Sequence, residues 1–188
     1  MHSLSNPAIW YLMRGSGVVT LILFTGVVVL GIATTMRFRP GRLPRFVTLG
    51  LHRSVALLAV VFLAIHVATA VVDSFAKVSL AQVLVPLPSA KYGLFLGLGA
   101  LSLDLIVAIV VTSLIRHRIG QRVWKGIHWL AYASWPIAFL HAVGIGTDKA
   151  SGWFLDTAVA CASVIVVAVF WRLVALRRPY PKYLGASS

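Results

Sequence analysis

Residues 51–66 read LHRSVALLAVVFLAIH, a helix-length apolar run with a histidine near each end. Residues 128–141 read HWLAYASWPIAFLH and repeat the arrangement. Both segments have the hydropathy of membrane spans, where imidazole is costly to bury, so four histidines there pose a functional question.

The rest of the chain has the same character. Of 188 residues, 60% are hydrophobic and 11% charged, and the mean hydropathy is +0.93. Soluble domains of this length are not built that way, whereas a bilayer core demands apolar runs of about 20 residues. Five such runs are expected to span, at 15–36, 54–72, 92–115, 127–147 and 151–171. Backbone polar groups in lipid must be satisfied internally, so the expected fold is all-α: a single bundle of five transmembrane helices. No glycine-rich phosphate loop and no stretch of flavin- or nucleotide-domain character occurs in these residues.

The net charge of +13 is distributed unevenly. Arg37, Arg39, Arg42, Arg45 and Arg53 crowd the first polar connection. Arg116, Arg118, Arg122 and Lys125 fill the third, and Arg172, Arg177, Arg178 and Lys182 the tail. The alternate connections hold Lys77, Lys91 and Lys149, with Asp73 and Asp148. This alternation places the N-terminus outside and the C-terminus in the cytoplasm. It also assigns the basic loops to anionic headgroups of the lipid bilayer and argues against nucleic acid as a partner. A cleaved signal peptide is not expected, because the first apolar run is too long and its basic flank lies on the wrong side. The single cysteine, Cys161, excludes internal disulfides and covalent c-type haem. The apolar connection 73–92, which holds Pro86 and Pro88, is expected to cap the outer mouth of the bundle as an interfacial segment.

With that orientation the second and fourth spans run in the same direction. His52 and His128 then lie at the cytoplasmic end, and His66 and His141 lie about 20 Å farther out. One histidine from each helix is available at each depth, as axial ligation of haem iron requires. A single intramembrane histidine is commonly a helix–helix hydrogen bond, and zinc wants four ligands at one point. A proton relay would recruit carboxylates, and only Asp104 lies mid-span. Two pairs at matched spacing favour haem over each of these. The geometry has one mismatch. Fourteen residues return His66 to within roughly 40° of His52, but thirteen leave His141 more than a third of a turn from His128. Pro136 is the expected site of a correcting bend.

These histidine intervals, with WYLMRGSG at the first span, PRFVTLGLHR entering the second and the long third-to-fourth segment ending HAVGIGTD, resemble the ferric reductase-like transmembrane domain. That family includes ferric reductases, NADPH oxidases and MsrQ-type haem membrane proteins, and the likeness is to its bacterial branch. The resemblance covers about residues 10–173. It implies two non-covalent haems b, one on His52 and His128 and one on His66 and His141, in a protein of the bacterial inner membrane. It implies transmembrane electron transfer as an oxidoreductase component. The flavin and NAD(P)H domain of the family's larger members has no counterpart here, and six spans are common where five are expected. A separate flavoprotein or FMN-binding protein is therefore the expected donor. A cytochrome b subunit of a quinone-linked dehydrogenase and a non-enzymatic haem-binding anchor or sensor stand as the alternatives.

Haem propionates seek arginine and lysine at the membrane edge. Arg53, Arg118, Arg122 and Lys125 are the cytoplasmic candidates, and Arg14 the outer one. Asp104 is expected to face the bundle, protonated or paired, in a proton-linked or structural role. Trp124, Trp129, Trp135 and Trp153 are expected at span ends, as interface anchors or against haem. His2 and His117 are given no ligand role.

Overall fold

The computed structural model describes residues 7–35, 45–74, 76, 78–87, 93–145 and 151–176. Arg37, Arg39, Arg42, Lys77, Pro88, Lys91, Asp148, Lys149, Arg177, Arg178, Lys182 and His2 lie outside them. The described residues are mostly helical, with no strand among them. α1 spans Pro7–Thr35, α2 Arg45–Val72, α3 Leu80–Leu84 and α4 Gly93–Leu114. They are followed by α5 Arg116–Ile119, α6 Gln121–His128, α7 Ala131–Ile145 and α8 Gly152–Leu176.

Local chemistry sets the boundaries. Pro7 opens α1, where its missing N–H costs nothing. Ser79 and Gln82 form a reciprocal capping box on α3. Gly120, at φ +79, separates α5 from α6 in a backbone region that side chains disfavour.

α1, α2, α4 and α8 are each long and apolar enough to cross a bilayer. The remaining expected span, 127–147, is divided. α6 ends at His128 and α7 begins at Ala131, so its continuous part is 15 residues. The break is not at Pro136, which lies inside α7. Leu130 N–H bonds the Ile127 carbonyl, Tyr132 that of Trp129, and Ala133 that of Leu130. These are i→i−3 bonds, in which each residue turns about 120° rather than 100°. A few such residues recover roughly 60° of the mismatch between His128 and His141. The mid-helix correction anticipated at Pro136 therefore occurs five to seven residues before it.

α1 lies along α2 and also touches α7 and α8, while α4 packs on α7, α6 and α3. α2 makes no comparable packing with α6 or α7, which leaves a slot between them. The core joining the two sides is formed by Leu21, Phe24, Val28 and Ile32 of α1 with Trp135 and Cys161. Leu57, Val61, Val166, Val167 and Phe170 are exposed on the outer faces of α2 and α8. In lipid such faces lose nothing, and helix association rests on close packing and interhelical hydrogen bonds.

Ala76 and Val78, from the connection after α2, are buried with Leu96 of α4. The chain then passes so close to α4 that a Cβ on Gly97 would lie 3.1 Å from the Leu87 carbonyl oxygen. This segment therefore closes over the end of the bundle that holds His66 and His141.

Candidate functional site

The slot between α2 and α6–α7 is lined by the four histidines in two levels. The rings of His52 and His128 have centroids 6.3 Å apart, and those of His66 and His141 6.5 Å apart. Ascending α2 from 52 to 66 and the α6–α7 unit from 128 to 141 leads from one level to the other, so the two elements run in the same direction. His117 of α5 is exposed and remote from both levels in sequence.

Three of the rings are oriented in the same way. The Nδ1–H of His52 donates to the Val27 carbonyl over 3.0 Å, and that of His66 to the Met13 carbonyl over 2.8 Å. The Nδ1–H of His141 donates to Phe95 over 2.8 Å. Each ring is thereby locked, with Nε2 left free, in the arrangement that orients a histidine ligand.

Four residues beyond each of these carbonyls stands a glycine: Gly17, Gly31 and Gly99. A Cβ on Gly17 would lie 2.9 Å from the His66 ring, and one on Gly31 would lie 3.4 Å from His52. A Cβ on Gly99 would overlap His141 outright. The glycines let the imidazoles reach the helix backbone. Their spacing also follows the ligands: Met13 to Val27, Gly17 to Gly31 and His52 to His66 are each fourteen residues. Because α1 is antiparallel to α2, the two helices stay in step. Glycine spacing equal to the histidine spacing was a signal available in the sequence, and reading the histidines alone misses it.

His128 departs from the pattern. Its Nδ1 is buried and, among the described residues, has no hydrogen-bond partner. The neighbour of His128 is instead Trp124, 5.1 Å away between ring centroids, whose Nε1–H donates to the Ser113 hydroxyl over 3.2 Å.

A cavity of about 250 Å³ opens at the other level, lined by His66, His141, Arg14, Trp10, Phe24 and Gln82 among mainly apolar neighbours. The Arg14 guanidinium lies 3.9 Å above the Trp10 ring. Arg53, next to His52 on α2, Arg118 of α5, and Arg122 and Lys125, on α6 with His128, are exposed. Asp104 is half-buried on α4, with no hydrogen bond to it among the described residues.

The tryptophans divide. Trp129 and Trp153 are exposed, as interface anchors would be. Trp135 is a correction to the expectation of a span-end position. It is 6% exposed in the core, stacked on Phe139, and its Nε1–H donates to the Thr25 hydroxyl. Arg172 of α8 donates to the Tyr132 hydroxyl and lies 4.8 Å from the Trp129 ring centroid, so α8 holds the α6–α7 break.

A bond from imidazole nitrogen to a metal is about 2.0–2.1 Å, so two rings collinear about one ion have centroids roughly 6.3–6.5 Å apart. Both pairs have this separation. Among the described residues no group of three or more histidine, cysteine or carboxylate side chains could hold an ion. Each level thus offers two protein donors.

The chain belongs to a family described as a domain of unknown function (DUF8596), which it matches over residues 8–148. No similar curated protein and no similar solved structure was found.

Proposed function

We propose that this chain carries electrons across a membrane through two b-type haems, one held by His52 and His128 and the other by His66 and His141. The observation that carries the reading is the double pairing of imidazoles, at 6.3 and 6.5 Å, between α2 and the α6–α7 unit, with a cavity at the His66–His141 level. A porphyrin supplies four nitrogens to its iron, so two protein donors per level complete the shell. A tetrahedral zinc site would need four protein ligands at one level, and each level has two.

The resemblance to the ferric reductase-like domain points the same way. On this reading the α6–α7 unit, with its turn, is the fifth crossing. The arginine distribution supports an N-terminus outside and a C-terminus in the cytoplasm, and the resemblance supports a bacterial inner membrane. Bound haem accepts and releases one electron at a time. The protein's part is to fix the ligands: the Val27, Met13 and Phe95 carbonyls orient the rings, and the glycines admit them. Mainly apolar walls line the His66–His141 level, and Arg14, which also lines it, would meet a propionate there. Arg53, Arg118, Arg122 and Lys125 serve that purpose at the other level, or dock an acidic partner. The chain acts as the membrane subunit of a reductase system whose donor is a separate flavoprotein.

Haem content tests the reading. Purified protein should release two haems b per chain into acid–acetone. A ratio of one in fully loaded material, or none, would overturn it.

A further inference from the structure

His128 differs from the other three histidines in two independent ways. The first is electronic and orientational. A ligand histidine that donates its second N–H is a more basic donor held in a fixed plane, and His128 lacks that bond. The second is mechanical. His52, His66 and His141 stand within α2 and α7, whereas His128 is the last residue of the eight-residue α6. Gly120, with φ +79, bounds that helix at one end, and the i→i−3 turn through Trp129 and Leu130 bounds it at the other. α6 is tethered to α4 through the Trp124–Ser113 bond.

Building on the haem reading above, we propose that His128 is an exchangeable ligand carried on a hinged arm. The His52–His128 level is then a binding site for a small neutral diatomic molecule of the carbon monoxide or nitric oxide class. In the ferrous state the His128 Nε2–iron bond breaks and an iron–carbon or iron–nitrogen bond forms on the vacated side. No electron is transferred, and the freed Nε2 keeps its lone pair. His52 remains in place, held by Val27. The His66–His141 level, with both rings bonded to carbonyls, stays closed to the same ligand.

Carbon monoxide added to dithionite-reduced, detergent-solubilised protein tests this. The expected result is a spectral shift of one of two haems, about half the total amplitude. The shift should persist in His66→Ala/His141→Ala and vanish in His52→Ala/His128→Ala. The binding rate should level off at high carbon monoxide, because His128 must leave first. Trp124→Phe, which removes the tether to Ser113 in an otherwise intact chain, should raise that plateau several-fold, while Gly15→Ala, whose new Cβ meets nothing within 4 Å, leaves it unchanged. Two haems with no response to carbon monoxide would overturn the proposal and leave the haem reading standing. So would a response that survives in His52→Ala/His128→Ala, or a plateau indifferent to Trp124→Phe. A chain that binds no haem overturns both.

Discussion

The indole N–H of Trp135 donates to the hydroxyl of Thr25 over 3.0 Å, joining α7 to α1 in the buried core between the two histidine levels. Trp135 is seven residues from His128 and six from His141, so the bond sits near the midpoint of the slot. Thr25→Val keeps the volume and strands the indole N–H. The expected cost is about 1–2 kcal/mol, in the range for a buried unpaired donor and for interhelical bonds in membranes. Thr25→Val/Trp135→Phe should lose less than the sum of the two single changes. Unfolding in a denaturing-detergent series measures both, and a neutral Thr25→Val would mean that the bond does not join the helices.

The close-approach glycines should rank by the space each leaves. Gly99→Ala and Gly17→Ala force a methyl into the His141 and His66 rings and should abolish haem at that level. Gly31→Ala, where the new Cβ would sit 3.4 Å from His52, should weaken its level without removing it. Gly15→Ala meets nothing within 4 Å and should be neutral or stabilising by up to about 1 kcal/mol from helix propensity. Visible absorption per chain reads the series, and equal losses from Gly15→Ala and Gly17→Ala would refute the packing argument.

Single histidine changes should fall into two classes. His52→Ala and His128→Ala remove one spectral component, and His66→Ala and His141→Ala remove the other. Each component is expected to lose at least tenfold in occupancy, as removal of a ligand should exceed the 10–100-fold effect of losing an outer-shell partner. If His52→Ala instead matched His141→Ala, the shared direction of α2 and the α6–α7 unit would be wrong.

The donor can be tested with the isolated chain. A nicotinamide passes two electrons together while each haem takes one, so a flavin must stand between them. On the proposed reading that flavin belongs to a separate protein. NADPH alone should leave the haems oxidised, and a reduced flavoprotein should reduce them. Exposed Arg53, Arg118, Arg122 and Lys125 would attract an acidic donor, so the rate should fall with salt. Stopped-flow absorbance over a salt series is the measurement; rapid reduction by NADPH alone would contradict a separate donor.

The four histidines and their grouping by depth were legible in the sequence, because apolar periodicity and the arginine pattern fix which helix ends lie together. The helical class was legible for the same reason. The break at Trp129–Leu130 was not: proline is the visible breaker, yet hydrogen bonds shifted to i→i−3 several residues earlier do the turning. Trp135 was misjudged because an indole reads as an interface anchor until its partner is seen, and Thr25 lies 110 residues away. The isolation of the His128 Nδ1 was out of reach as well, since it depends on how α6 is seated against its neighbours.

The fourteen-residue interval shared by α1 and α2 acts as a ruler with phase. One residue inserted between Gly17 and Gly31 would turn one half of α1 by about 100° against the other. One histidine would keep its carbonyl and its glycine gap, and the other would meet side chains. Compensation would need a matching insertion between His52 and His66. The separation of the two levels, about 21 Å along the helix, is therefore closed to gradual drift. Point substitutions can tune either centre, but only paired changes of length in both helices can move one relative to the other.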